Sequence, residues 1–282
     1  MNLNNGIVSI EINSLGAELK SAIKNGREYM WCGDEKYWAR TSPVLFPIVG
    51  KLKDKKYSLL EKEYSLEQHG FARDREFTLE EQTETSLTYT LASDEETFKS
   101  YPFDFTFKIK YTLEGSKLII GWYVTNDGDD TMYFSIGAHP AFNLKDGKNY
   151  FKFDTDKDIM YSHIDENGML IENDDHPLTC TDGYTEADLH LFDSDALIIE
   201  NCQAKEVSLC DENKEAYVTV RFTAPLFGLW SPTGKNAPFI CIEPWYGRCD
   251  GQSFCGDFTE KDYMMSLESK KNFEAIYEIE FI

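Results

Sequence analysis

The chain has 282 residues, with 50 Asp and Glu against 28 Lys and Arg, a formal net charge of −22. Its hydrophobic fraction is 41% and its aromatic fraction 14%, which argues against disorder, because disordered chains are poor in aromatics. The charge argues against nucleic-acid binding through a basic face and against docking on anionic membranes.

The N-terminal stretch MNLNNGIVSIEINSLGAE has neither a basic head nor an apolar core, so it does not read as a secretory signal. No run approaches the ~18 apolar residues of a spanning helix. A cytoplasmic protein without membrane contact is expected. From VSIEI at 8–12 onward the dominant period is two. It returns in SLTYTL at 86–91, FTFKIKYTL at 105–113, YVTVRF at 217–222 and the C-terminal run to Phe281. Turn chemistry at Glu114-Gly115-Ser116, Asn126–Asp129 and Asp146–Asn149 bounds these runs. Residues 105–125 read as a hairpin around Glu114-Gly115. Helical periodicity is weak, and one short helix is expected near 257–263. The polar stretch 154–188 reads as a surface excursion. No linker or repeat interrupts the pattern, so residues 1–282 are expected to form one all-β domain, a large antiparallel β-sandwich.

Seven cysteines occur, an odd number without a CxxC pair. Free thiols in a reducing cytosol are therefore expected, rather than disulfides or a zinc site. Cys249 and Cys255 flank a Gly-rich turn and are close enough in sequence to reach each other.

Chemistry is sought where titratable residues sit in apolar, turn-rich settings. Of five histidines, His69 (QHGFARDREF) and His139 (SIGAHPAFNL) lie in such settings; His163, His176 and His190 lie in the polar 160–190 region. Glu243, in FICIEPWYGRCDG, follows an apolar run. Burial there raises its pKa and makes it a better base near neutrality. The ordinary alternatives are loop-holding histidines and a Glu243–Arg248 ion pair. A His-His-Glu metal set finds no support in the spacing, so no metal is expected. In SPVLFPIVGKLKDKKY, Gly50 turns the chain before Lys51. On the residues alone, Lys51, Lys53, Lys55 and Lys56 are a solvated charge run. Trp31, Trp38, Trp230 and Trp245 sit near turns, which suits stacking on sugar faces and core filling alike.

Five segments, FPIVGKLKD, QHGFARDREF, SIGAHPAFN, PLFGLWSP and CIEPWYGRCDG, occur in the order seen in aldose 1-epimerases. The chain resembles the LacX-like branch of the galactose mutarotase superfamily, from LGAEL at 15–19 to the last strand. The resemblance implies a large antiparallel β-sandwich and anomer interconversion of an aldose. It implies His139 as general acid, Glu243 as general base and His69 as a substrate-positioning residue. Lys51 stands where relatives carry Arg; this keeps the charge and loses the planar fork. Asp195, or second Asp193, matches a pocket Asp, Arg73 matches an Arg of hexose-6-phosphate relatives, and Trp230 is assigned to substrate binding. No cofactor is implied, in keeping with the absence of GxGxxG and GxxxxGK. The implied partner is a galactose- or glucose-like small molecule, bound by a monomer or homodimer. Three alternatives stand beside this reading. One is a hexose-6-phosphate mutarotase using Lys51, Arg73 and Arg248. Another is a non-catalytic carbohydrate-binding protein on the same fold. The third is a glycoside hydrolase using Glu243 with Asp195.

Overall fold

The period-two runs from 86–91 onward become strands of a nine-stranded antiparallel sheet, while Val8–Ile12 lies in a separate four-stranded sheet. The computed structural model describes residues 1–282. In spatial order the strands are Tyr184–Glu186, Tyr150–Phe153, Glu206–Cys210, Ala216–Phe222, Asn272–Phe281, Lys117–Asn126, Phe105–Glu114, Ser86–Ala92 and Thr78–Gln82. The expected hairpin runs in unbroken register from Phe105↔Asn126 to Glu114↔Lys117. Gly115 at its tip has φ 59, where a side chain would be disfavoured. The C-terminal strand is central, not an edge. It pairs with Lys117–Asn126 on one side and Ala216–Phe222 on the other. Its alternation therefore buries Ala275, Tyr277, Ile279 and Phe281 on one face.

A second sheet orders Leu197–Ile199, Leu226–Trp230, Phe239–Tyr246, Ile136–Ala138 and Val44–Leu45, with Ala141–Asn143 also pairing Phe239–Tyr246. These strands are buried on both faces, which is why they do not alternate in sequence. A core cluster of 63 buried residues draws on both sheets, with Phe46 in aromatic contact with Phe105, Phe107 and Phe134. Each fully buried Phe stabilises the fold by about 1.5–3 kcal/mol relative to exposure.

Several expectations change. The helix near 257–263 is a single 3-10 turn, Phe258–Glu260, closed by a capping box between Asp257 and Glu260. The α-helix of the chain lies instead at Glu95–Ser100, capped by Asp94 and Thr97. It is too short to leave a periodic trace. The 154–188 stretch is woven into the molecule: Ile159–Tyr161 pairs with His176–Leu178, Ser162 bridges Ile198 and Leu170 bridges Gly251. Ile159, Met169, Leu170 and Leu178 are buried, so the polar composition describes only its outer face. Cys249 is buried and Cys255 exposed, and both are free thiols, as are the other five cysteines. No helix is long and apolar enough to cross a membrane.

Candidate active site

The strand Phe239–Tyr246 has two buried faces. Ile240 and Ile242 join the main core. By the same period of two, Phe239, Cys241, Glu243 and Trp245 point to the opposite face, where Cys241 and Trp245 belong to two small separate clusters. Glu243 lies opposite Gly228 in the neighbouring strand. A Cβ on Gly228 would stand 2.4 Å from the Trp245 ring, so the glycine gives that indole its place.

His139 occupies the turn between Ile136–Ala138 and Ala141–Asn143. Its ring stacks on Trp38 at 4.7 Å and meets Trp230 edge-on at 5.2 Å. His69 sits at φ 66 in the turn ending at Gly70. His69 N donates to Gly50 O at 2.8 Å, and Gly50 N donates to His69 Nδ1 at 3.1 Å. Nδ1 is therefore an acceptor, and the neutral ring carries its proton on Nε2. Gly50 has φ 75 and lies against Cys249, where a Cβ would stand 2.6 Å from the backbone N. This turn sends Lys51 inward. Its neighbours stay outside: Lys55 pairs with Glu67 and Lys56 with Glu63.

His69, His139 and Glu243 line one cavity of about 290 Å³, together with Lys51, Arg73, Asp195 and Trp230. All seven residues singled out in the sequence thus meet. Asp193 does not; it lies in an adjoining outer cleft and bonds His190. Sequence reasoning left Trp38 and Trp245 among several turn-side tryptophans and missed Gln68, Ile164 and Gly168, which also line the wall. A carboxylate on an otherwise apolar strand was the signal available for Trp245, two residues on along the same face. Ile164 and Gly168 carry no chemical signal and enter through long-range contacts. His163, His176 and His190 lie outside the cavity.

Arg248 differs from expectation. It bonds Glu200 at 2.7 Å and Asp262 at 2.6 Å, and does not line the cavity. It neither neutralises Glu243 nor offers a phosphate ligand.

His139 Nε2 approaches Glu243 Oε2 to 3.3 Å, without the alignment of a hydrogen bond. Burial, followed by the Asp195 carboxylate, raises the Glu243 pKa well above its ordinary value, with the Trp245 indole N–H acting the other way. Burial, followed by Arg73, lowers His139 to about 3. His69 is pushed well below its ordinary value by burial, then by Arg73, His139, Arg40 and Lys51. Burial and Arg40 bring Arg73 down to about 10, so it keeps its charge at neutrality. Burial thus favours the un-ionised form of Glu243 and the neutral form of His139.

Seven buried side-chain polar atoms of the chain lack a hydrogen-bond partner. Five belong to this cavity: Arg73 Nε, His139 Nδ1, both Glu243 oxygens and Trp245 Nε1. Unpaired buried polar atoms are costly and rare, so their convergence marks this cavity as the candidate binding site. His139, Cys241 and Glu243 also bring three metal-type donors together. Burial, followed by Glu243, holds the Cys241 thiol well above its ordinary pKa, which disfavours the thiolate a metal would need.

The aldose 1-epimerase family model matches residues 1–262. The plasmid-encoded protein LacX of Lactococcus lactis subsp. lactis is 33% identical over 264 residues, 87% of either chain. Among solved structures, a galactose mutarotase related enzyme from Lactobacillus acidophilus superposes with a TM-score of 0.94 at 35% identity, covering 100% of this chain and 97% of that one. A galactose mutarotase-like protein from Lactobacillus casei ATCC 334 superposes with a TM-score of 0.92 at 28% identity, covering 100% and 99%.

Proposed function

The chain belongs to the aldose 1-epimerase family, and on that premise we propose that it interconverts the α and β anomers of an uncharged hexose in this cavity. The observation that carries the proposal is the convergence of five partnerless buried polar atoms around an adjacent carboxyl–imidazole pair. A cavity of about 290 Å³ is at the small end of ligand sites and suits one monosaccharide.

Sugar binding brings hydroxyl donors to the Glu243 oxygens and so favours the carboxylate. The displaced proton then resides on His139. Glu243 takes the proton from the anomeric hydroxyl while His139 protonates the ring oxygen. The C1–O5 bond breaks, an aldehyde forms, and rotation about C1–C2 presents its other face. Reclosure runs the same transfers backward, so the proton count returns to its start. His69, through Nε2–H, with Lys51 and Arg73, donates to sugar hydroxyls. Asp195 accepts from one, and Trp230 and Trp38 offer apolar faces to the C–H side of the ring.

The uncharged substrate is favoured by the outer cleft, where Asp165, Glu166, Asp193 and Asp195 surround the approach to Lys51. These carboxylates repel a sugar phosphate. Polarimetry on freshly dissolved α-galactose, α-glucose and α-glucose 6-phosphate tests the proposal. Acceleration of a neutral hexose that is lost in Glu243→Gln is the expected result. Binding without acceleration would leave a carbohydrate-binding protein, and preference for the phosphate would reverse the substrate assignment.

A further inference from the structure

Two of the three histidines outside the cavity converge on one carboxylate. His163 follows the strand Ile159–Tyr161, and His176 opens the strand His176–Leu178, with Tyr161 and His176 in register. Asp174 lies just before it. His163 Nδ1 is 2.9 Å from Asp174 Oδ2, and His176 Nε2 is 2.7 Å from Asp174 Oδ1. The two imidazoles stand 4.7 Å apart, and one ligand atom from each of the three residues lies within 4.8 Å of the others. Tyr161 stacks on His176 and meets His163 edge-on, so both rings are held on their outer sides. The side chains are partly open to solvent, at 18% for His163, 23% for Asp174 and 43% for His176.

We infer that His163, Asp174 and His176 form a binding site for a borderline divalent first-row cation such as Zn2+, placed at the base of the segment that walls the sugar cavity. Two imidazoles and a carboxylate suit Zn2+ or Co2+ rather than Mg2+ or Ca2+, which prefer all-oxygen shells. Three protein ligands leave room for water on the solvent side. Small ring rotations convert two bonds to one carboxylate into three bonds to one cation.

The position gives the site a consequence. From His163 the chain folds back on itself, with Asp165 N donating to Met169 O at 2.8 Å and Ile171 N to His163 O at 3.0 Å. Ile164 and Gly168, within this fold, line the cavity beside Lys51. A cation held by residues 163, 174 and 176 ties the two ends of the segment together and stiffens that wall. The inference stands whether or not the cavity is a mutarotase site.

The full chain, freed of metal by chelation, is titrated with Co2+ and then Zn2+. One Co2+ per chain is expected, with d–d absorption that Zn2+ displaces. The absorption is lost in Asp174→Ala and retained in His190→Ala. His163→Gln and His176→Gln each remove a ligand while keeping a polar side chain, and give the same loss if Asp174→Ala folds poorly. Absence of binding to the wild type, or absorption persisting in these variants, overturns the inference. A thiolate charge-transfer band would also overturn it, by placing the ion at Cys241. Hydrogen exchange supplies a second readout. Zn2+ should slow the Asp165, Gly168 and Ile171 amides in the wild type and not in His176→Gln. Unchanged exchange in the loaded wild type would refute the clamp.

Discussion

His139 Nε2 stands 3.3 Å from Glu243 Oε2 in a cavity where both Glu243 oxygens and His139 Nδ1 have no partner within the chain. On the proposed mechanism, this close and unsatisfied pair takes a proton from the sugar and returns one to it. Removing either should therefore affect rate more than affinity. Glu243→Gln and His139→Asn are each expected to lower kcat by about 100- to 10,000-fold. Sugar binding, followed by fluorescence of Trp38 and Trp230, should survive. Polarimetry and a fluorescence titration on the same preparations check the split.

The pair also sets the pH profile. On the proposed mechanism it works with one proton shared between the two groups. Burial raises the Glu243 pKa and lowers that of His139 to about 3. A second proton is therefore added only in strong acid, and the single proton leaves only well above the ordinary Glu range. The expected kcat/KM profile has its acid limb far below the ordinary imidazole value near 6.5. An acid limb near 6.5 in a stable preparation would contradict it.

Stability carries the same signature. His139 is depressed to about 3 in the folded chain against an ordinary value of 6.5. Its neutral burial contributes stability that is fully present above pH 6.5. That contribution is lost as pH falls toward about 3, because the unfolded chain takes the proton first. Urea unfolding of His139→Asn across this window should show a pH slope smaller by about one proton than the wild type.

Gly168 has φ 82, and a Cβ there would stand 2.7 Å from Lys51 Cδ. Gly168→Ala should displace the Lys51 side chain while leaving His139 and Glu243 in place. The expected kinetic result is a raised KM with kcat little changed. Steady-state measurements on the variant beside Lys51→Met check it.

Asp250 and Lys261 form an ion pair at 2.7 Å, with side chains only 3% and 1% exposed. Asp250 N donates to Lys51 O, and Asp250 Oδ2 accepts from Lys53 N. The pair thus braces the turn that delivers Lys51. Asp250→Ala strands a buried ammonium and should cost about 3–5 kcal/mol. The double variant Asp250→Leu/Lys261→Met should cost less, because it removes both charges. Urea denaturation of the three chains checks the order.

The sandwich was legible in the alternation of FTFKIKYTL and of the C-terminal run, because a half-buried strand writes its face into every second residue. His69, His139 and Glu243 were legible too, since titratable groups in apolar, turn-rich segments stand out locally. The short helix at Glu95–Ser100 left no such trace, being under two turns long.

Composition, period and motif order determined the all-β class, the family and the short roster of candidate site residues. Only the tertiary structure decided which neighbours join the site. Lys51 enters while Lys55 and Lys56 stay outside, because the left-handed turn at Gly50 redirects one side chain. Asp195 lines the cavity and Asp193 does not. Arg248 is taken by Glu200 and Asp262, 48 and 14 residues away in the chain. The polar 154–188 stretch becomes a cavity wall by pairing with strands far along the chain. Periodicity is a local property of the backbone. Partner choice depends on distances that close only when the two sheets pack.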